Sequence, residues 1–217
     1  MIRTALLLLA LTACDPPRRK EIITSDPPEG PPIGKRFADD FQRTELGPDW
    51  WQTGGNYKIV DGALSAKGGK NHPLWLRRKL PRDGVIEFDA WSNSADGDIK
   101  VELYGDGRSF DPDGGGYRAT GYVVVFGGWK NTKSIIARQD EHGRDLAVDA
   151  TQRKVERGRR YHFRIERRGD VVDWQLDGQA FVRYQDPKPL AGANNAYFAL
   201  SNWATDVWFD NLVITGL

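Results

Sequence analysis

At 217 residues the chain has room for one large domain or two small ones. Its hydrophobic content of 39% and aromatic content of 11% support a packed core and exclude global disorder. Lys and Arg number 31 against 30 Asp and Glu, and the charges are mixed along the chain. The resulting net charge of +1 leaves no electrostatic footprint for nucleic acid or for an anionic membrane surface.

In chain order, MIRTALLLLALTAC comes first, with Arg3, an apolar run from Ala5 to Leu11, and then small residues. This pattern predicts a signal peptide over residues 1–13, too short to span a bilayer as a stable helix. Leu11-Thr12-Ala13-Cys14 resembles the lipobox of bacterial lipoproteins. That resemblance implies cleavage before Cys14, a diacylglycerol on its thiol, and a place in the cell envelope, periplasmic or surface-exposed. Asp15 resembles an inner-membrane retention signal of enteric bacteria, which leaves the choice of membrane open. Cys14 is the only cysteine, so no disulfide can form within the chain. Residues 14–36 carry three Pro-Pro pairs and no apolar period, and read as an extended tether.

From residue 37 to 217 the pattern changes to short alternating segments punctuated by Gly, Asp and Asn. Val85 to Trp91 places Ile86, Phe88 and Ala90 on one face, and Asp98 to Tyr104 does the same with Ile99, Val101 and Leu103. Gly121–Phe126, Ser134–Arg138, Tyr161–Ile165, Val172–Leu176, Phe181–Tyr184, Ala196–Trp203 and Val207–Ile214 continue the series. Asp177-Gly178 between two of these segments is a hairpin turn. No segment sustains a helical period over ten residues or repeats at a solenoid or propeller spacing. The expected fold is all-β, a two-sheet antiparallel sandwich or a barrel.

DDFQRTELGPDWWQTGGNYKIVDGALSA, the middle IEFDAW and the closing WFDNLVI resemble the concanavalin A-like lectin/glucanase superfamily. Within it the chain is most similar to uncharacterised bacterial domains and to the 3-keto-disaccharide hydrolase domain. The resemblance implies a jelly-roll sandwich over 37–217 with a concave sheet, and carbohydrate as ligand or substrate. Fold alone does not settle which. Laminarinase-type members of the superfamily carry E-x-D-x-x-E on one strand. Here Glu87 and Asp89 match the first two acids, and Ser92 occupies the third position. A retaining carboxylate pair cannot be carried over from that motif.

Two groups of candidate residues follow. Opposite the apolar faces lie Glu87, Asp89 and Trp91, then Asp98, Lys100, Glu102 and Tyr104, then His162, Arg164 and Glu166. On a concave sheet they would form a sugar-binding trough; on the other sheet they would be a solvated outer face. The second group is FGGWKNTKSIIARQDEHG, residues 126–143. Gly127 and Gly128 aim Trp129, with Asn131 close by, while Arg138, Glu141 and His142 collect at a strand end. Glu141 with His142 is a candidate acid–base set, with Arg138 as anion stabiliser; the alternative is a polar hairpin loop. Trp91, Trp129 and Trp203 are candidate stacking platforms for a non-catalytic binder. Glu87 and Asp89 are candidate sugar ligands or a calcium-holding pair; Asp111 and Asp113 suggest a structural calcium loop, but it lacks the third acid and closing Glu of an EF-hand loop, and a plain flexible turn is the alternative. The three histidines show no zinc spacing, and no other cofactor is implied.

Overall fold

The structure, a computed structural model, describes residues 30–111 and 117–217. Cys14, the segment read as a signal peptide and most of the tether lie outside the described residues, as does most of the Asp111–Gly116 acid loop. The fold takes up the end of the segment read as tether: Ile33 is buried, and its N–H donates to the Lys79 carbonyl at 2.8 Å.

Strands dominate, as the alternation predicts. They are β1 (Arg36–Asp39), β2 (Trp50–Gln52), β3 (Tyr57–Val60), β4 (Ala63–Lys67), β5 (Leu74–Leu76), β6 (Gly84–Ser92), β7 (Ile99–Gly105) and β8 (Tyr122–Gly127). There follow β9 (Lys133–Arg138), β10 (Leu146–Val148), β11 (Tyr161–Arg168), β12 (Val171–Leu176), β13 (Gln179–Gln185), β14 (Tyr197–Ser201) and β15 (Asp206–Gly216). An eight-stranded sheet runs β13-β12-β11-β6-β15-β4-β3, with β1 also paired to β15. A seven-stranded sheet runs β10-β9-β8-β7-β14-β5-β2. All pairings are antiparallel, so the molecule is the two-sheet sandwich that the short strands lead one to expect.

The core lies between the sheets and is aromatic at its centre. Phe88 of β6 stacks on Phe163 of β11 at 4.7 Å, and Phe163 stacks on Trp174 of β12 at 5.4 Å. Phe126 of β8 in the opposite sheet meets Phe163 and Trp174 edge-on at 6.1 Å each. Such pairs add about 1 kcal/mol each beyond the area they bury. The outward faces of the two sheets are therefore separate surfaces, and the site depends on which one a residue occupies.

Candidate binding cleft

On β7, Ile99, Val101 and Leu103 enter the core while Lys100 and Glu102 project from the outer face of the seven-stranded sheet. Neighbouring outward residues, Val123 and Val125 of β8 and Ile135 and Ala137 of β9, form a small apolar patch. Ala119 and Tyr117 fold over part of it, so a polar pair from β7 is buried although it points away from the main core.

A buried charge survives only with partners. Lys100 Nζ lies 3.0 Å and 2.9 Å from the two Glu141 oxygens and donates to Asn71 Oδ1 at 3.2 Å. Burial disfavours its ammonium, but Glu141 and Asp98 outweigh that and hold its pKa above the usual lysine value. Glu102 accepts hydrogen bonds from Tyr117 Oη at 2.5 Å and from the N–H groups of Thr120 and Gly121 at 2.8 Å each. Burial still pushes its carboxyl up to about 7, against the pull of the Tyr117 hydroxyl and with Asp106 adding to the rise. Asp98 is likewise raised by burial, opposed by Lys100 and by the Trp203 N–H.

Above this charged floor opens a cleft of about 570 Å³ lined by Asn71, Asp98, Lys100, Tyr117, Trp129, Glu141, His142 and Trp203, among others. Trp129 and Trp203 are large apolar side chains left 38% and 43% exposed, and they bound the cleft. Trp129 packs edge-on against His142 at 5.6 Å, and Lys133 Nζ sits 5.2 Å from its ring centre. Trp129 stands on a single turn, α1 (Gly128–Asn131), whose backbone is left-handed at Trp129 (φ 51°), Lys130 (φ 59°) and Asn131 (φ 60°). Consecutive non-glycine residues in that region cost roughly 1–2 kcal/mol each. Asn131 clamps the turn: its Oδ1 accepts the Val155 N–H at 2.8 Å, and its Nδ2 donates to the Val155 and Ala95 carbonyls at 2.7 and 3.1 Å.

Six residues singled out in the sequence thus meet in one place: Asp98, Lys100, Trp129, Glu141, His142 and Trp203. Glu102 lies beneath them, 2% exposed, as an anchor for the 117–121 segment. Four expectations need correcting. Arg138 shares the core-facing side of β9 with Ile136, and its guanidinium bonds Asp186, Gln139 and the Lys188 carbonyl, away from the cleft. Asn131 is a strut with its amide fully engaged in the turn. Tyr104 is 3% exposed and faces the core, because the register shift between Tyr197 and Phe198 leaves it as an extra residue in a bulge at φ 55°. Glu87, Asp89 and Trp91 lie on β6 in the other sheet, so the single trough does not exist. There Asp89 accepts from His162 and Asn211 at 2.9 Å each, and Trp91 stacks on Trp208 at 5.8 Å beneath the Arg160 guanidinium.

Sequence reasoning missed Asn71 and Tyr117 as parts of the cleft and placed Asp98 only among the polar residues of the Asp98–Tyr104 segment. Asn71 (φ 62°) and Asp98 (φ 62°) have left-handed backbone, a conformation for which Asn and Asp are among the better-suited residue types. Among the described residues no group of three or more His, Cys, Asp and Glu side chains could hold a metal ion.

Comparison with known proteins bears on the fold. The family described as "Farnesoic acid 0-methyl transferase" matches residues 109–211, just under half of the chain. No curated protein matches. Among solved structures, the carbohydrate-binding module CBM66 from Bacillus subtilis superposes with a TM-score of 0.58 at 15% identity, over 77% of this chain and 96% of that one. A Bacillus subtilis protein of unknown function with a galectin-like fold gives 0.61 at 14%, over 84% and 96%. Domain 4 of a GH43 extracellular arabinanase from Geobacillus stearothermophilus, solved with arabinotriose, gives 0.52 at 14%, over 83% and 82%. At these identities the likeness establishes a shared galectin-like, jelly-roll sandwich.

Proposed function

We propose that the chain is a glycan-binding domain, tethered to the bacterial envelope through Cys14, that holds a saccharide between Trp129 and Trp203. The observation that carries this reading is the pair of exposed tryptophans bounding a cleft of about 570 Å³ whose floor is the Lys100–Glu141–Asn71 set. Indole faces pack against the apolar C–H faces of a sugar ring, while the floor supplies fixed hydrogen-bonding groups for hydroxyls. The structural neighbours that are a carbohydrate-binding module and an arabinotriose complex support the same ligand class. The lipobox-like Leu11–Cys14 supports the tether.

Catalysis is the second reading, favoured by one contact: His142 Nε2 lies 3.6 Å from Glu141 Oε1. Against it, both Glu141 oxygens already sit on Lys100, Arg138 faces the opposite side of its strand, and Glu87 and Asp89 occupy the other sheet. The two readings separate on a panel of arabinan, xylan, laminarin and alginate, with retention followed by affinity electrophoresis and products by mass spectrometry. Retention without products supports binding. Shortened chains would make the protein an enzyme, and absence of retention and products on all four would remove the carbohydrate reading for these glycans.

A further inference from the structure

The two tryptophan walls come from segments 74 residues apart, yet both hang from one short turn between β6 and β7. Asp98 ends that turn with left-handed backbone (φ 62°), next to Gly97 (φ 68°). Its N–H donates to the Gly127 carbonyl at 2.9 Å, immediately before the turn that carries Trp129. Its carboxylate Oδ2 accepts the backbone N–H of Trp203 at 2.6 Å. The same turn is bonded again on each side. Asn131 Nδ2 donates to the Ala95 carbonyl at 3.1 Å, and the Asp206 N–H donates to Ser94 Oγ at 3.0 Å. A Cβ at Gly97 would lie 2.7 Å from the Gly127 carbonyl oxygen, so no side chain fits where the two turns meet.

We propose that Asp98 is a positioning residue that sets the separation of the two tryptophan walls, gripping the Trp203 turn with its carboxylate and the Trp129 turn with its backbone N–H. The proposal rests on the glycan reading for its consequence and on the hydrogen bonds alone for its structural claim. Asp98 is half-buried at the edge of the cleft, where its charge is still costly to desolvate. It persists here beside Lys100, which opposes that cost. Trp203 is also tied through its carbonyl to the Lys70 N–H at 2.7 Å, so removing the carboxylate loosens the turn without releasing it. Asn in place of Asp98 keeps an acceptor oxygen and tolerates the left-handed backbone; Gly keeps the backbone and removes the grip.

The test uses protein labelled with 5-fluorotryptophan, with the Trp129 and Trp203 fluorine signals assigned through Trp129→Phe and Trp203→Phe. Affinity is measured in parallel for oligosaccharides released from arabinan, xylan and laminarin. Asp98→Asn is expected to keep both signals in place and to retain more affinity than Asp98→Gly. Asp98→Gly is expected to move the Trp203 signal and weaken binding by about tenfold or more, as loss of the acceptor that holds the Trp203 N–H implies. An unmoved Trp203 signal in Asp98→Gly overturns the proposal, and so does a moved signal with unchanged affinity. Equal loss in Asp98→Asn and Asp98→Gly also overturns it, since the charge would then act on the sugar directly. If Asp98→Gly does not fold, Asp98→Asn still decides: a Trp203 signal held in place supports the proposal, and one that moves although an acceptor oxygen remains contradicts it. If wild-type protein binds none of the three oligosaccharide sets, the glycan reading fails for them, and the fluorine shifts alone judge whether Asp98 sets the turns.

Discussion

Glu102 is buried with three strong donors, and burial still lifts its carboxyl from 4.5 to about 7. Below pH 4.5 it is protonated in both folded and unfolded chains. Between 4.5 and about 7 the folded protein keeps a proton that the unfolded chain has released, so stability falls as pH rises through that window. The full difference amounts to roughly 3 kcal/mol. Urea unfolding at about pH 5 and about pH 8 should show this loss, and Glu102→Gln should flatten it; an unchanged slope in the variant would assign the effect to other groups. Lys100 makes a second prediction at this scale. Lys100→Ala strands Glu141 and Asp98 without their cation and should cost about 3 kcal/mol, while Lys100→Met combined with Glu141→Gln should recover much of the loss. A double-mutant cycle of Lys100→Met, Glu141→Gln and their combination, read by thermal unfolding, measures that coupling. Neither partnership is visible to sequence reasoning, because Lys100 and Glu141 stand 41 positions apart and no periodicity links a strand residue to a residue in a later loop.

At the scale of the strand, alternation says which residues share a face but not which sheet the strand joins. The apolar and polar sides of β6, β7 and β11 were legible in the sequence. Their division was not, since β6 and β11 pair with each other while β7 pairs with β8 and β14. Alternation also fails where a bulge inserts a residue, which is why Tyr104 turns inward. The split gives a sharp test. Trp91 packs against Trp208 and Arg160 on the outer face of the eight-stranded sheet. Trp91→Ala should therefore lower stability by roughly 1–2 kcal/mol and leave glycan affinity unchanged. A matching loss of affinity would mean that this face takes part in binding.

For the whole molecule, the fold class was legible because an all-β chain with so many short strands has few architectures open to it, and the sandwich buries both apolar faces. The cleft was half legible. Its loop residues Trp129, Glu141 and His142 stood out as a cluster of uncommon side chains, and Asp98 and Lys100 as polar-face residues, whereas Asn71 and Tyr117 enter it only through tertiary folding. The proposed attachment to the envelope is also tested at this scale: Cys14→Ser should abolish incorporation of a labelled acyl chain and move the protein out of the membrane fraction. The central claim is binding between the two indoles. It is tested most directly by titrating the protein with the polysaccharide retained in the panel and repeating the titration with Trp129→Ala and Trp203→Ala. The account predicts that each substitution weakens binding by about tenfold, with unfolding midpoints unchanged within the small range usual for surface positions. Unaltered affinity in both variants would contradict it.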